Sequence, residues 1–435
     1  MYHIFTGIAY FTPLLGSLLS DSYFDKYNTI ISLSAIYILG LLILAITSWP
    51  TFMDVPTTKI PRTGGIKPCV SAHGGDQFLE VQKIGLQKFY NYFYMAINTG
   101  ALVSSYVSPS IARMTVFTVP NSTLVEWERI GLKPDVGNGY PLAWGLLATS
   151  MTIALGIFMI GHRYYRVVPP AGRFILWDHL SIGWAYISCQ WKGLDAYELT
   201  REKFGKGMVD EMLDLAQVIM ALAPAPIFWM AFGQNGSTWQ DMGDQMAIPF
   251  GGDSKTSFFN SETTNSIWNP FFIITISPVM ANFVYPWIEK QFGPEAFGLM
   301  DRMVTGQVLA GVAYILAAIL QARIYSTCHQ DSSHPVHIDD CQSTVSILNQ
   351  IFLYFILTVA ECLFSVSGLQ FAYVEVGKRT KSFCSALWLL TTAIGSFMAA
   401  ALLNATLNSE SGNWTRAQFF WLVAGLCFVS AGLRV

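Results

Sequence analysis

Glu361 is the one charged side chain in an apolar stretch that runs from 345 to 373. Burying an ionised carboxylate at mid-membrane depth costs about 2.5–3.5 kcal/mol on insertion scales, so we expect Glu361 to have either a partner or a proton. A carboxyl group that exchanges a proton in this setting suits proton transport. A structural ion pair is the alternative.

Two further ionisable groups lie among apolar residues. Lys67 follows Gly64 and Gly65, which permit close approach of helices, so it could hold a carboxylate or pair with an acid of another helix. A lysine that extends to the membrane surface is the alternative. His3 is of the side-chain type that titrates nearest neutral pH, although a lone histidine is more often structural.

Neutral polar side chains add hydrogen-bonding capacity. Tyr94 and Asn98 are four residues apart, so they share one face of a helix. A phenol and a carboxamide together offer the donors and acceptors that a peptide amide requires. Aromatic packing with one polar contact between helices is the alternative, and both interpretations apply equally to Tyr10 and Asn269.

Indole and hydroxyl groups occupy the middle of other apolar segments. Trp229 and Trp388 could pack in the core, lie at a membrane interface, or form apolar walls around a ligand. Ser365 lies one turn after Glu361 and could share its hydrogen bonds or pack between helices.

The elements that must position these residues are membrane helices. The chain has 435 residues, of which 52% are hydrophobic and only 12% charged, and its mean hydropathy is +0.41. Average soluble proteins have about twice that charged fraction, and apolar runs long enough to cross a bilayer recur here. The sequence therefore predicts an all-α, polytopic integral membrane protein. The predicted segments are 1–19, 28–49, 89–112, 142–162, 215–236, 267–287, 303–323, 345–373, 382–404 and 418–433.

Other classes of protein are not supported by the sequence. The net charge of −3 argues against a nucleic-acid partner. The seven cysteines lack metal-ligand spacing, so no metal site is expected. A Gly-rich phosphate loop and a nucleophile elbow are both lacking, so the sequence does not predict an enzyme.

Basic side chains concentrate in the connections 163–214 and 374–381, which places those connections in the cytoplasm. The alternate connections would then be external. Cys328 and Cys341 lie in one of them and could form a disulfide or remain unpaired. Sequons for N-glycosylation, which also lie in or beside the external connections, begin at Asn121, Asn235, Asn404 and Asn413.

This arrangement of sides needs one more crossing between 50 and 88. Residues 64–80 are the only candidate, and they are preceded by 50–62, which has three prolines and three charges. Such a stretch is not a lipid-compatible helix. The extra crossing is therefore predicted to have only its second half.

Five blocks of this sequence resemble the proton-dependent oligopeptide transporter family. They are YHIFTGIAYFTPLLGSLLSDSYFDKYNTI, TGGIKPCVSAHGGDQF, FYMAINTGAL, PIFWMAFGQNGS and ECLFSVSGLQFAY. The first and last resemble most the intestinal and renal peptide transporters of animals. The resemblance implies a major facilitator fold with a central cavity and alternating access. It also implies uptake of di- and tripeptides, with protons as the coupling ion and no other cofactor, across the plasma membrane.

The resemblance also implies how the chain maps onto that fold. The segments become helices two, three and five to twelve, with 64–80 as the end of helix four, giving about ten or eleven membrane helices. Residues 1–162 would form a shortened first half, 163–214 a cytoplasmic linker, and 215–435 the second half. Helix one has no counterpart, and Gly233 stands where the family usually has an acid.

Roles for single residues follow from the same resemblance. His3 and Glu361 would couple protons, with Glu361 near the amino end of the peptide. Lys67 would hold the carboxylate of the peptide. The other residues predicted to bind substrate are Tyr10, Tyr94, Asn98, Trp229, Asn269, Ser365 and Trp388. Two alternatives stay open: a transport-inactive relative or splice form, and the same fold carrying another solute such as nitrate or histidine.

Overall fold

The computed structural model describes residues 2–49, 67–79, 81–112, 114, 116, 139–170, 172, 175–249, 261–293, 296–327, 342–376, 380–407 and 414–433. Over these residues the chain is helical, apart from short connections. The helices are α1 (Tyr2–Ser22), α2 (Lys26–Thr47), α3 (Lys67–Gly75), α4 (Lys83–Ala112), α5 (Tyr140–Ile160), α6 (Ile175–Trp191), α7 (Ala196–Phe204), α8 (Lys206–Leu222), α9 (Ala225–Phe232), α10 (Thr238–Asp244), α11 (Ser261–Val279), α12 (Tyr285–Phe292), α13 (Leu299–Ser326), α14 (Leu348–Glu361), α15 (Ser367–Val374), α16 (Lys381–Thr406) and α17 (Arg416–Gly432).

The all-helical membrane prediction is confirmed, and each predicted apolar segment corresponds to a helix or a run of helices. Among the described residues, six runs are long and apolar enough to cross a membrane, or seven if the bent pair Lys206–Leu222 and Ala225–Asp244 is one span. The predicted crossing at α17 is apolar but has only 17 residues. The six runs are Lys26–Thr47, Tyr140–Tyr164, Ser266–Phe292, Leu299–Ser326, Leu348–Val374 and Lys381–Thr406.

The predicted segment 215–236 is part of a longer, broken helix. It begins at Lys206 and bends by 42° between α8 and α9. Pro224 and Pro226 lie at the bend, where the missing amide hydrogens and the proline rings interrupt the helical hydrogen bonds. A second interruption, the 3₁₀ turn Gly233–Gly236, separates α9 from α10.

Two π-helical segments widen the helices that line the centre of the molecule. Met280–Val284 joins α11 to α12, and Cys362–Val366 joins α14 to α15. Such single π turns often occur at functional sites, because they shift the register of the side chains that follow. Glu361 is the last residue of α14 and therefore lies directly before the second π segment.

Helix packing brings distant parts of the chain together. Helix α1 packs along α16, and α4 packs along α11, while α4 also contacts the π segment Cys362–Val366. Helices from before and after the 163–214 connection therefore contact one another in two places. The side chains on α4, α11 and α14 meet at the second of these places.

Helix α3 has nine residues and is about 13 Å long, roughly half of a membrane crossing. The stretch 50–62, which was predicted not to form the first half of that crossing, lies outside the described residues. Gly75 ends the helix where a β-carbon would lie 2.6 Å from the ring of Tyr373 and 2.9 Å from the hydroxyl of Tyr90. The absence of a side chain therefore lets α3 approach both tyrosines and places Asp76 beside them.

Candidate functional site

The carboxylate of Glu361 accepts hydrogen bonds from two neutral side chains. Oε1 accepts from the hydroxyl of Tyr94, and Oε2 accepts from Nδ2 of Asn269 at 2.7 Å. Asn269 also donates to Oγ1 of Thr358 at 3.2 Å. Glu361 is only 4% exposed. We call Glu361, Tyr94, Asn269 and Thr358 the carboxylate cluster.

Three helices supply the carboxylate cluster. Tyr94 comes from α4, Asn269 from α11, and Glu361 and Thr358 from α14. Among the residues that the structure describes, no basic side chain forms an ion pair with Glu361, so its two oxygens rely on the phenol and the amide. A carboxyl group in this position can hold either a proton or a cationic ligand.

The structure separates Asn98 from the carboxylate cluster in its hydrogen bonding. Tyr94 and Asn98 share a helix face as predicted, but Nδ2 of Asn98 donates to the backbone oxygen of Tyr94 at 2.9 Å and not to Glu361. Ser365 is buried in the π segment. Its hydroxyl lies near the phenol of Tyr94, but no hydrogen bond of ordinary geometry joins it to another described residue.

Four aromatic rings lie one turn beyond the carboxylate cluster, and we call them the aromatic wall: Phe228, Trp229, Phe364 and Trp388. The indoles of Trp229 and Trp388 have centroids 5.7 Å apart at an angle of 69°. Phe364 lies 5.5 Å from Trp388 and stacks on Phe228 at 3.9 Å. The Trp388 ring rests directly against Gly368, where any β-carbon would clash with it. The structure therefore brings together the two tryptophans that the sequence singled out.

The indole nitrogen of Trp229 is buried and has no hydrogen-bond partner among the described residues. A buried donor that forms no hydrogen bond costs about 1–3 kcal/mol. The aromatic wall therefore contains one polar group that a bound ligand could satisfy. The remaining edges of the rings offer apolar contact, which does not depend on direction.

His3 contacts a different part of the molecule. Its Nε2 lies 3.0 Å from Oγ of Ser237, just beyond the 3₁₀ turn Gly233–Gly236. The imidazole is buried, with 6% of the residue exposed. Gly233, which replaces the acid expected from the resemblance, lies beside this ring. Tyr10 is half-buried on α1.

Other predicted residues lie outside the described part of the chain or in unexpected places. Lys67 begins α3, but its side chain is outside the described residues. Asn404 is exposed in the last turn of α16. Asn235 was predicted in or beside an external loop, and it lies half-buried in the 3₁₀ turn Gly233–Gly236, within a helical run that continues to Asp244. The remaining glycosylation and disulfide candidates, all outside the described residues, are Asn121, Asn413, Cys328 and Cys341.

Sequence reasoning missed a buried ion pair. Nζ of Lys26 lies 2.6 Å from Oδ2 of Asp76, and both side chains are only 6% exposed. Oδ1 of Asp76 accepts a hydrogen bond from the hydroxyl of Tyr373 at 2.8 Å. Oδ2 of Asp21 accepts from the backbone N–H of Phe383 at 2.8 Å. We call Asp21, Lys26, Asp76 and Tyr373 the polar latch, since it ties α1, α2 and α3 to α15 and α16.

A signal for the polar latch was present in the sequence. Residues 21–28 form a short turn in which acids precede a basic residue, and Asp76 lies near the end of the glycine-rich stretch 63–78. Each feature is charged and lies among apolar segments, where charge is costly. Their pairing across 50 residues depends on helix packing, which the sequence alone did not reveal.

The sequence profile of the POT family, PTR2, matches residues 27–422. The chain belongs to the POT family. Its carboxylate cluster, aromatic wall and polar latch all lie on helices within or directly beside the matched region. The predicted class, a multi-pass integral membrane protein, is confirmed, and a plasma-membrane location is consistent with it.

Relatives of this POT-family chain include two solute carriers. Solute carrier family 15 member 2 of Danio rerio is 31% identical over 352 residues, which are 75% of this chain and 44% of that relative. Solute carrier family 15 member 1 of Canis lupus familiaris is 30% identical over 376 residues, which are 80% of this chain and 49% of that relative. The chain thus spans about half the length of the curated relatives it matches.

Solved structures with a similar fold are also transporters of the POT family. The crystal structure of PepTSo has a TM-score of 0.65, at 23% identity over 99% of this chain and 87% of that chain. An auto-inhibited POT family peptide transporter has a TM-score of 0.61, at 24% identity over 99% of this chain and 85% of that chain. These likenesses confirm the predicted major facilitator fold.

Proposed function

We propose that this protein is a proton-coupled symporter that carries di- and tripeptides across the plasma membrane by alternating access. The single observation that carries the proposal is Glu361, a buried carboxylate on which two neutral donors converge. Membership of the POT family supports it, and so does the likeness to a solved structure of an auto-inhibited POT family peptide transporter.

The carboxylate cluster suits an exchange between a proton and the ammonium group of a peptide. With Glu361 protonated, the site is neutral and its burial is inexpensive. With Glu361 ionised, a peptide ammonium can supply the positive charge that the described neighbours of Glu361 do not supply. Either occupant neutralises the site, so proton binding and peptide binding are linked through one carboxylate.

The aromatic wall and the polar latch take complementary roles in this proposal. Trp229 and Trp388 offer apolar area to side chains of different shapes, which suits a broad range of peptides. The polar latch links helices from both sides of the 163–214 connection, and it would have to break when the cytoplasmic side opens. An inward proton supplies about 2.3 kcal/mol per 100 mV of membrane potential toward such a change.

Uptake of a labelled dipeptide by cells that express the chain tests the proposal. Uptake is expected to rise when the external medium is acidified and to fall when the membrane potential is dissipated. Unlabelled dipeptides should compete, whereas nitrate and free histidine should not. Uptake that is independent of pH and potential would contradict proton coupling, and competition by histidine alone would contradict the peptide assignment.

A further inference from the structure

Helix α6 exposes five large apolar side chains in a single stripe. Trp177, Leu180, Trp184, Ile187 and Trp191 are separated by three or four residues in turn, and their exposed fractions run from 46% to 84%. At 3.6 residues per turn they occupy about 80° of the helix circumference. We call these residues the tryptophan stripe. Three indoles exposed on one helix are unusual for a surface in contact with water.

The opposite face of α6 already has its own partners. Ile182 is fully buried and packs with Val209 and Met212 of α8. Tyr186 is partly buried against the same cluster, and α6 also contacts α1. The tryptophan stripe is therefore not the face that holds α6 to the bundle. A helix that is apolar on two faces requires a second apolar environment.

The position and the length of α6 indicate that this second apolar environment is the lipid bilayer. Helix α6 follows α5, whose second half exposes the apolar side chains of Ile153, Ile157 and Ile160. The inner face of α6 packs on α8, which is the first part of the bent pair Lys206–Leu222 and Ala225–Asp244. With 17 residues, α6 is at the lower limit for a membrane crossing, and unlike α17 of the same length it is not among the shorter apolar helices of the described residues.

Composition and charge select the membrane interface. Tryptophan is enriched at the level of the lipid headgroups, where one edge of the indole is apolar and its N–H remains hydrated. The 163–214 connection is neutral overall, with seven basic and seven acidic side chains, but exposed Arg163, Arg166 and Lys192 lie close to the two ends of α6. These flanking basic side chains complement the anionic lipids of the cytoplasmic leaflet.

We propose that the tryptophan stripe of α6 is embedded in the headgroup region of the cytoplasmic leaflet and anchors the 163–214 connection to the bilayer. The bound surface is lipid, and the anchored element holds α8 through Ile182. The inference is independent of the proposed transport activity, since it concerns only where α6 lies.

The test places a polarity-sensitive fluorophore on the full-length chain. Trp184→Cys is labelled, and the protein is reconstituted into phosphatidylcholine vesicles that contain phosphatidylserine. The matched control is Gln190→Cys, an exposed position of the same helix outside the stripe. Leu180→Cys is a second stripe position, in case the first variant does not fold. The unmodified chain, labelled in parallel, gives the background from its native cysteines.

Brominated lipid should quench the label at 184 about twofold or more better than the label at 190, and aqueous iodide should show the reverse order. Equal quenching of both labels by iodide would overturn the proposal, because the stripe would then face water. Protection of the label at 184 from both quenchers would also overturn it, and would indicate that protein, either a second copy or a partner, covers the stripe.

Discussion

The imidazole of His3 faces Gly233 across the contact between α1 and the 3₁₀ turn. A β-carbon at Gly233 would lie 3.5 Å from Nδ1 of His3, at ordinary van der Waals distance. Nε2 of the same ring lies 3.0 Å from Oγ of Ser237. Space for a short side chain therefore exists beside one ring nitrogen, in the position where the family resemblance leads us to expect an acid.

Gly233→Asp is expected to place a carboxylate beside the His3 ring. Only the imidazolium pairs with a carboxylate, so the stabilisation should appear as the His3 ring takes up a proton on acidification and be lost as the ring releases that proton at higher pH. Gly233→Asn is the matched control, because it has the same size and no charge. The thermal unfolding midpoints of the two variants in detergent should diverge on acidification. Equal midpoints at every pH would contradict the contact.

The buried ion pair of the polar latch leads to a second prediction. Asp76→Asn leaves Lys26 buried without its counter-ion, which costs about 3–5 kcal/mol. The thermal unfolding midpoint should fall sharply. The double substitution Lys26→Met with Asp76→Leu removes both charges of the pair and should recover part of the loss, because no buried lysine is left without its counter-ion. A double variant less stable than Asp76→Asn would contradict this account.

An exposed ion pair of this chain gives the matched control. Arg201 and Glu198 lie 3.3 Å apart on α7, with side chains 40% and 56% exposed. Glu198→Gln should change the free energy of unfolding by about 0–1 kcal/mol, because solvent screens this pair. A comparable loss in Glu198→Gln and Asp76→Asn would show that burial is not the cause.

Much of the fold could be predicted from the sequence, because lipid requires long apolar runs and satisfied backbone groups. The segments around α2, α5 and α13 illustrate this, since their apolar residues define each helix almost to its ends. The break at Pro224 was not predicted, although proline is a known cause of such bends. The extension of that helical run to Asp244, beyond the predicted end at 236, was not predicted either.

The site was only partly predictable. Glu361 is recognisable because charge is costly in its apolar surroundings, and Asn269 and Tyr94 are recognisable as polar groups at membrane depth. That both donate to Glu361 depends on how α4, α11 and α14 pack. The polar latch illustrates the same limit, because Lys26 and Asp76 are neighbours only after α2 and α3 have packed.

His73 leads to a third prediction, about stability. It is buried on α3 with its ring centroid 5.5 Å from Phe158 and 5.2 Å from Tyr165. Its Nε2 has no hydrogen-bond partner among the described residues. His73→Phe keeps an aromatic ring and removes the unsatisfied nitrogen, so it should stabilise the protein by up to about 1–3 kcal/mol. His162→Phe, at an exposed position, should change stability by no more than about 0.5 kcal/mol.

Thermal unfolding in detergent measures both histidine variants. A higher midpoint for His73→Phe alone is the expected result. A lower midpoint would show that Nε2 of His73 is satisfied in the native protein, for example by buried water, and that phenylalanine removes that interaction.

Glu361→Gln separates folding from proton coupling in one substitution. Glutamine preserves the size of the side chain and can still accept the hydrogen bond from Tyr94, while the amide of Asn269 can rotate to present its oxygen. The variant should therefore fold with a thermal midpoint close to that of the parent protein. It cannot release a proton, so we expect uphill accumulation of a labelled dipeptide to be lost together with its dependence on external pH. Exchange down a peptide gradient should be weakened less, since it needs no net proton movement.

Glu375→Gln is the matched control for this experiment. Glu375 follows α15 and is exposed, so its neutralisation should leave both accumulation and exchange unchanged. If Glu361→Gln accumulates dipeptide with the same pH dependence as the parent protein, the carboxylate is a structural group and the coupling residue lies elsewhere. If instead its thermal midpoint falls as far as that of Asp76→Asn, the ionised form of Glu361 is needed for folding. The carboxylate cluster would then resemble the polar latch, and Glu361 would have no freedom to exchange a proton.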